Sequence, residues 1–112
     1  MKVITTGHRY ELQNFEHPEK PGQVLQFIEK KPVFDCDPGK DPVPSGTLTT
    51  VNDGTTNEEV LRVLIDRIQH LNAKFPCREN SIALTHIETA ALWLEKRTND
   101  RKARGVEGKA LA

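Results

Sequence analysis

Residues 79–103 contain neither proline nor glycine, and Gly105 stands just beyond them. This stretch constrains the fold more tightly than any other. A glycine in that place is a helix stop, because it adopts the left-handed backbone conformation at little cost. Leu84, Ile87, Ala91 and Leu94 recur at spacings of three and four, which makes one apolar seam along a long helix. Such a seam needs a second element to cover it, and the preceding residues supply one. Residues 57–73 predict another amphipathic helix, with Val60, Leu61, Leu64, Ile68 and Leu71 on its apolar face and Arg62, Asp66 and Gln69 toward solvent. Thr56 and Glu59 fit a capping box at its start. Between the helices, Lys74-Phe75-Pro76-Cys77 makes a tight connector, because Pro76 pushes the residue before it out of the helical region. Two long amphipathic helices joined by a short loop form an antiparallel hairpin.

Upstream, the periodicity changes from helical to alternating. Residues 1–5 are a short β-like run that Gly7 breaks. Residues 8–15 then alternate, with His8, Tyr10 and Leu12 facing one way and Arg9, Glu11 and Gln13 the other. Two prolines and a glycine in residues 16–22 predict a turn. Residues 23–30, rich in Val, Leu, Phe and Ile, predict the returning strand of an antiparallel hairpin. Residues 31–46 carry four prolines and predict an exposed loop, residues 47–51 a last strand, and Asn52-Asp53-Gly54 a turn. The expected fold is therefore α+β. A small N-terminal antiparallel β-sheet, residues 1–54 with a proline-rich loop at 32–46, precedes a two-helix hairpin and basic tail in residues 55–112.

Size and charge narrow the function. A chain of 112 residues buries only ~60–70% of its unfolded surface, so oligomerisation through the hairpin is expected. Lys plus Arg and Asp plus Glu are both 16, and this neutrality speaks against a generic binder of nucleic acid or anionic membrane. The basic residues are nonetheless crowded at one end, as Lys96, Arg97, Arg101, Lys102, Arg104 and Lys109. Cys36 and Cys77 form no disulfide framework or metal-type pair. No apolar run spans a membrane and no signal-peptide pattern opens the chain, so a cytosolic protein is expected. Asp35, Asp37, Gly39 and Asp41 imitate the start of a calcium loop. Prolines interrupt it, and Gly46 stands where the bidentate glutamate belongs. His8, His17, His70 and His86 are scattered without a partner signature, and no Walker loop or dinucleotide fingerprint is present. Binding is favoured over catalysis, with no metal and no cofactor.

One constellation stands apart from packing. Trp93, Arg97, Arg101 and Arg104 fall at i, i+4, i+8 and i+11, a stripe beside the apolar seam. A ring followed by three guanidinium groups suits a ligand with a base and phosphates, since the planar fork pairs with phosphate and stacks on bases. The plain alternative is a core tryptophan with cations that complement the helix dipole, at roughly 0.3–1 kcal/mol each. Phe75 has two readings as well, an anchor between the helices or a platform for adenine. Arg78, Asn80 and Thr85 sit on the opening turns of the second helix and are candidate hydrogen-bond donors, although Asn80 and Ser81 also suit a helix start. Beyond Arg104, Gly105 and Gly108 flank Val106 and Glu107, so the backbone there can approach a ligand closely.

GHRYELQNFE with QVLQFIEK, then DGTTNEEVLRVLIDRIQHLNAKFPCREN, then ALWLEKRTNDRKARGVEG together resemble the Thoeris anti-defence one family of bacteriophages. That family shares its helical hairpin with the anti-CBASS two proteins. The resemblance runs from about Gly7 to Gly108, with FPCREN and RTNDRKARGVEG as its most specific parts; residues 34–46 do not carry it. It implies a sponge that binds, without cleaving, the cyclic ADP-ribose-type signal of a TIR-domain enzyme in the cytoplasm of the infected host. It also implies sites built between protomers, dimers within a hexamer, and a ligand range reaching the cyclic di- and trinucleotides of CBASS signalling. On that basis Arg97, Arg101, Arg104 and Arg78 are expected to hold the pyrophosphate. Phe75, with Trp93 behind it, takes the adenine, while Asn80, Thr85 and Glu107 meet ribose hydroxyls and Val106 lines the same tail. Arg101→Ala and Arg104→Ala are each expected to abolish capture and leave the fold intact. A nucleotide-hydrolysing enzyme, a hairpin that binds RNA or DNA through its basic tail, and a structural phage component are the rival readings.

Overall fold

The computed structural model describes residues 1–33 and 47–105. Its contacts divide the chain into two units, one holding Met1–Thr55 and the other beginning at Thr56. The architecture is α+β, with small antiparallel sheets followed by two packed helices. The expectations for residues 34–46, for Val106 and for Glu107 lie outside the described residues.

In the first unit, β1 (Lys2–Thr5), β2 (Arg9–Glu11) and β3 (Val24–Gln26) form one antiparallel sheet in that order. Gly7, at φ +78°, makes the turn between β1 and β2. Register places Val3, Tyr10 and Leu25 opposite one another, and Phe27 meets Tyr10 edge-on at 6.0 Å. The returning strand expected over residues 23–30 is in fact two strands. β4 (Glu29–Pro32) leaves the first sheet and pairs with β5 (Leu48–Asn52), so Lys31 and Pro32 are strand and not loop. The break has a backbone cause. Thr55 wedges in beside Phe27, donating to Gln26 O (2.8 Å) and accepting from Ile28 N (2.9 Å). That approach requires Gly54, where a Cβ would lie 2.4 Å from Gln26 O.

The second unit is the hairpin. Helix α1 spans Asn57–Lys74 and α2 spans Arg78–Ala103. Thr56 Oγ1 accepts from Glu59 N at 3.2 Å, which is the forward half of the capping box; the Glu59 carboxylate turns instead to Arg62, 2.9 Å away. At the far end Gly105 takes φ +69° and donates to Lys102 O, closing α2 where the sequence places its stop. The seam of α2 holds Leu84, Ile87, Ala91 and Leu94 as expected, and its spacing extends to Asn80 on one side and to Thr98 and Arg101 on the other. On α1 the half-buried positions are Glu58, Val60, Leu61, Ile65, Ile68, Leu71 and Asn72. Leu64, expected on the apolar face, is 41% exposed, and Ile65 takes its place.

Covered surface is scarce. Among the described residues only Ala91 and Arg101 are buried, both 8% exposed. Ala91 is the buried apolar residue of the α2 seam, and around it the seam is only half-buried.

Candidate functional site

Two of the three arginines in the predicted stripe share an open surface with the tryptophan. Trp93, Lys96, Arg97, Asp100 and Arg104 line a shallow groove of about 190 Å³ on α2. Trp93 is 66% exposed, so it is not a core residue, and Leu92 beside it is exposed to the same degree. Lys96 and Asp100 form an ion pair of 2.7 Å one turn apart, and among the described residues the lining of the groove holds three cations, Lys96, Arg97 and Arg104, to one carboxylate, Asp100. An aromatic face beside net positive charge is what an anionic base-bearing ligand requires. Lys96 and Asp100 were not among the predicted site residues; their i, i+4 spacing on the Trp93 face was the available signal.

Arg101 departs from that stripe. It lies eight residues beyond Trp93, which turns it about 80° around an ideal helix, and it is buried at 8% exposure as the last residue of the seam spacing. A buried guanidinium is part of the packing. Replacing it therefore tests the fold as well as any binding, contrary to the expectation that Arg101→Ala leaves the fold intact.

The other predicted residues cluster at the opposite end of α2. Phe75 is 77% exposed and does not anchor the helices. That task falls to Asn72, which sequence reasoning missed. Its Oδ1 accepts from Cys77 N at 3.0 Å and its Nδ2 donates to Ser81 Oγ at 3.1 Å, tying the connector to both helices. An asparagine one turn before a Pro-Cys turn was the only clue, through the habit of that side chain of satisfying nearby backbone groups. Cys77 caps α2, with Sγ accepting from Asn80 N at 3.4 Å, so neither Asn80 nor Ser81 starts the helix. Arg78 is exposed and Asn80 half-buried. Thr85 Oγ1 donates to Ser81 O (3.1 Å), so toward a ligand this hydroxyl is an acceptor.

A larger cleft of about 470 Å³ lies between the start of α1 and the C-terminal half of α2. Its charges compensate one another, with Glu58 and Glu95 against Arg62 and Lys102, and Arg62 reaches Glu95 at 3.8 Å. It offers an anion no net attraction, so the smaller groove is the better candidate. Among the described residues no group of His, Cys, Asp and Glu converges as a metal site, and no helix is long and apolar enough to cross a membrane.

Comparison with known proteins gives these features a context. The family described as Acb2/Tad1, hairpin domain, matches residues 33–99, which is more than half of the chain and includes Phe75, Trp93 and Arg97. The protein named Thoeris anti-defense 1 of Bacillus phage SBSphiJ7 is 42% identical over 76 residues, covering 57% of this chain and 54% of the relative. The chain thus spans about half the length of that relative. This chain belongs to the Acb2/Tad1 hairpin-domain family.

Proposed function

We propose that the protein is a phage anti-defence sponge: it binds glycocyclic ADP-ribose made by TIR enzymes of Thoeris immunity and holds it without cleaving it. Sequestration in the host cytoplasm keeps free signal below what its effector needs. The observation that carries this reading is the exposed Trp93 in a groove with Arg97 and Arg104. The ring stacks on a base and the guanidinium groups take the pyrophosphate. Membership of the hairpin family and the phage relative support it. No cofactor, nucleic acid or membrane enters the account, and cyclic oligonucleotides of CBASS signalling are the second ligand class.

Both groups of candidate residues meet one ligand only in an oligomer. Arg78 and Arg97 are 19 positions apart on α2, about 28 Å of helix at 1.5 Å per residue. One nucleotide cannot touch both. A second copy whose α2 runs antiparallel, with its two-fold axis near residues 87 and 88, removes the distance. Ile82, 43% exposed, then faces Trp93 of the second copy, and Glu79 faces its Lys96. Arg78 would face Arg97 of the second copy, and two guanidinium groups so placed repel unless an anion lies between them. The pairing thus sets His86 against Thr89 at the axis, brings Ile82 to the edge of the Trp93 ring while its face stays open to the base, and leaves a phosphate-demanding site at each end. It is the dimer from which we build the hexamer.

Mixing two binding-deficient variants tests this. Phe75→Ala and Arg97→Ala each bind glycocyclic ADP-ribose weakly in equilibrium dialysis. A mixed dimer of the two carries one site with both lesions and one with neither, so mixing restores binding to a fraction of the chains. No restoration in a mixed dimer contradicts the shared site. Chemical loss of the ligand during dialysis points to a hydrolase, and salt-sensitive binding of random oligonucleotides points to a nucleic-acid hairpin.

A further inference from the structure

Asp100 is the one carboxylate among the described residues that line the Trp93 groove, and it stands in the midst of the cations. Lys96 lies four residues before it, Arg97 three before and Arg104 four after, the spacings at which helical side chains meet. Nothing in the helix calls for an acid here. Aspartate is a poor helix former. The last turn of α2, which ends at Ala103, favours cations over anions. A lysine four residues before its acid is also the weaker order of such a pair. The 2.7 Å contact joins side chains that are 61% and 57% exposed, and an exposed pair of this kind adds little to stability. A residue placed against local preference, without a gain in stability, points to function.

What the carboxylate does follows from charge. A ring beside three cations would hold any nucleotide, and a nucleoside triphosphate hardest, because it carries the most charge. Asp100 opposes each charge that a ligand brings. It lowers the excess of the described lining to two positive charges, as many as the negative charges of a pyrophosphate diester. A nucleoside triphosphate carries about four. In the antiparallel pairing of α2, the second copy brings Arg78 and Glu79 to this end of the groove. Their charges are opposite, so the excess is unchanged.

We propose that Asp100 is a specificity-determining residue of the groove: its carboxylate matches the site to a pyrophosphate diester and turns away nucleotides of higher charge. This is specificity by repulsion of the wrong ligand, which costs some affinity for the right one. The role rests on the reading of the groove as the ligand site, and adds the means by which the triphosphates of the host cytoplasm are kept out of it. Removing the carboxylate also frees Lys96 for phosphate. Asp100→Asn therefore tightens binding by about two-fold for each negative charge on the ligand, the size of a screened pair of charges roughly 6 Å apart in water.

Calorimetric titration of the full chain in magnesium-free buffer tests this with four ligands: glycocyclic ADP-ribose, linear ADP-ribose, ADP and ATP. Asp100→Asn is expected to gain about four-fold for the two pyrophosphate diesters and about sixteen-fold for ATP, with ADP between them. The preference for glycocyclic ADP-ribose over ATP then narrows by about four-fold. Asp100→Glu keeps the charge and leaves that preference at the wild-type value. Glu16→Gln removes the same charge from an exposed position in the first unit and also leaves it there. Circular dichroism checks that each variant is folded. Gains that do not grow with ligand charge overturn the proposal, as does an equal narrowing in Glu16→Gln. A loss of glycocyclic ADP-ribose affinity in Asp100→Asn overturns it too, and makes Asp100 an acceptor for ligand hydroxyls instead. A wild-type protein that does not bind glycocyclic ADP-ribose overturns the sponge reading alone, because the gains for ADP and ATP still decide the role of Asp100.

Discussion

Trp93 and Leu94 are adjacent, and the account assigns them opposite tasks, so truncating each in turn divides binding from folding. Trp93 is 66% exposed, so about a third of its surface is covered, and losing that third costs roughly 1–2 kcal/mol at about 25 cal/mol per Å² for a large aromatic. Alanine returns about 0.5 kcal/mol through its helix propensity. The net loss, about 1 kcal/mol, lowers the melting temperature by roughly 5 °C in a monomeric domain of this size. Binding suffers more. A base stacked on an aromatic ring is worth about 1–3 kcal/mol by alanine substitution, which weakens affinity from about five-fold to about 150-fold. Leu94 is half-buried in the α1–α2 seam, so Leu94→Ala costs about 2 kcal/mol or more of stability and leaves the affinity of the folded fraction within about two-fold. Thermal denaturation and calorimetric titration with glycocyclic ADP-ribose read the two quantities. A folded Trp93→Ala protein with wild-type affinity refutes the assignment of the groove.

Three further outcomes follow from the same geometry. Arg97→Ala weakens binding by at least ten-fold, for loss of a charge-assisted hydrogen bond of about 1.5–3 kcal/mol, and flattens the salt dependence; titrations at two ionic strengths check both. Gly54→Ala sets a Cβ 2.4 Å from Gln26 O and separates Thr55 from Phe27; hydrogen exchange shows lost protection at Ile28 and Thr55, while α1 and α2 keep theirs. Asn72→Ala removes both hydrogen bonds of the connector, at about 1–2 kcal/mol, and Asn72→Asp, which keeps the acceptor for Cys77 N, recovers part of the loss in thermal denaturation.

The helices were legible because hydrophobic spacing, a capping threonine and a terminal glycine all act within a few residues of one another. Thr56, Gly105 and the Leu84–Leu94 seam needed no tertiary information. Leu64 and Ile65 mark where that stops. Each lies three or four residues from both Leu61 and Ile68, so periodicity fits either, and only packing against α2 selects Ile65. The division of residues 23–30 into two strands was likewise hidden, since it depends on Thr55 arriving from a distant part of the chain. At the site, Trp93 and Arg97 were legible as a stripe. The burial of Arg101 was not, because a stripe extended to i+8 on a helix of 3.6 residues per turn drifts toward the neighbouring face. Phe75 was ambiguous for a related reason: a phenylalanine beside a proline suits a packed anchor and an exposed platform equally, and the anchor proved to be Asn72.

Capture followed by release tests the central claim most directly. The protein is mixed with glycocyclic ADP-ribose and filtered, the filtrate is assayed on the Thoeris effector, and the retained protein is heated and assayed again. A sponge removes the signal from the filtrate, and heating returns it chemically unchanged by mass spectrometry. A signal that disappears and never returns would mean that the bond is broken, and a signal that stays in the filtrate would mean that the groove does not hold this ligand.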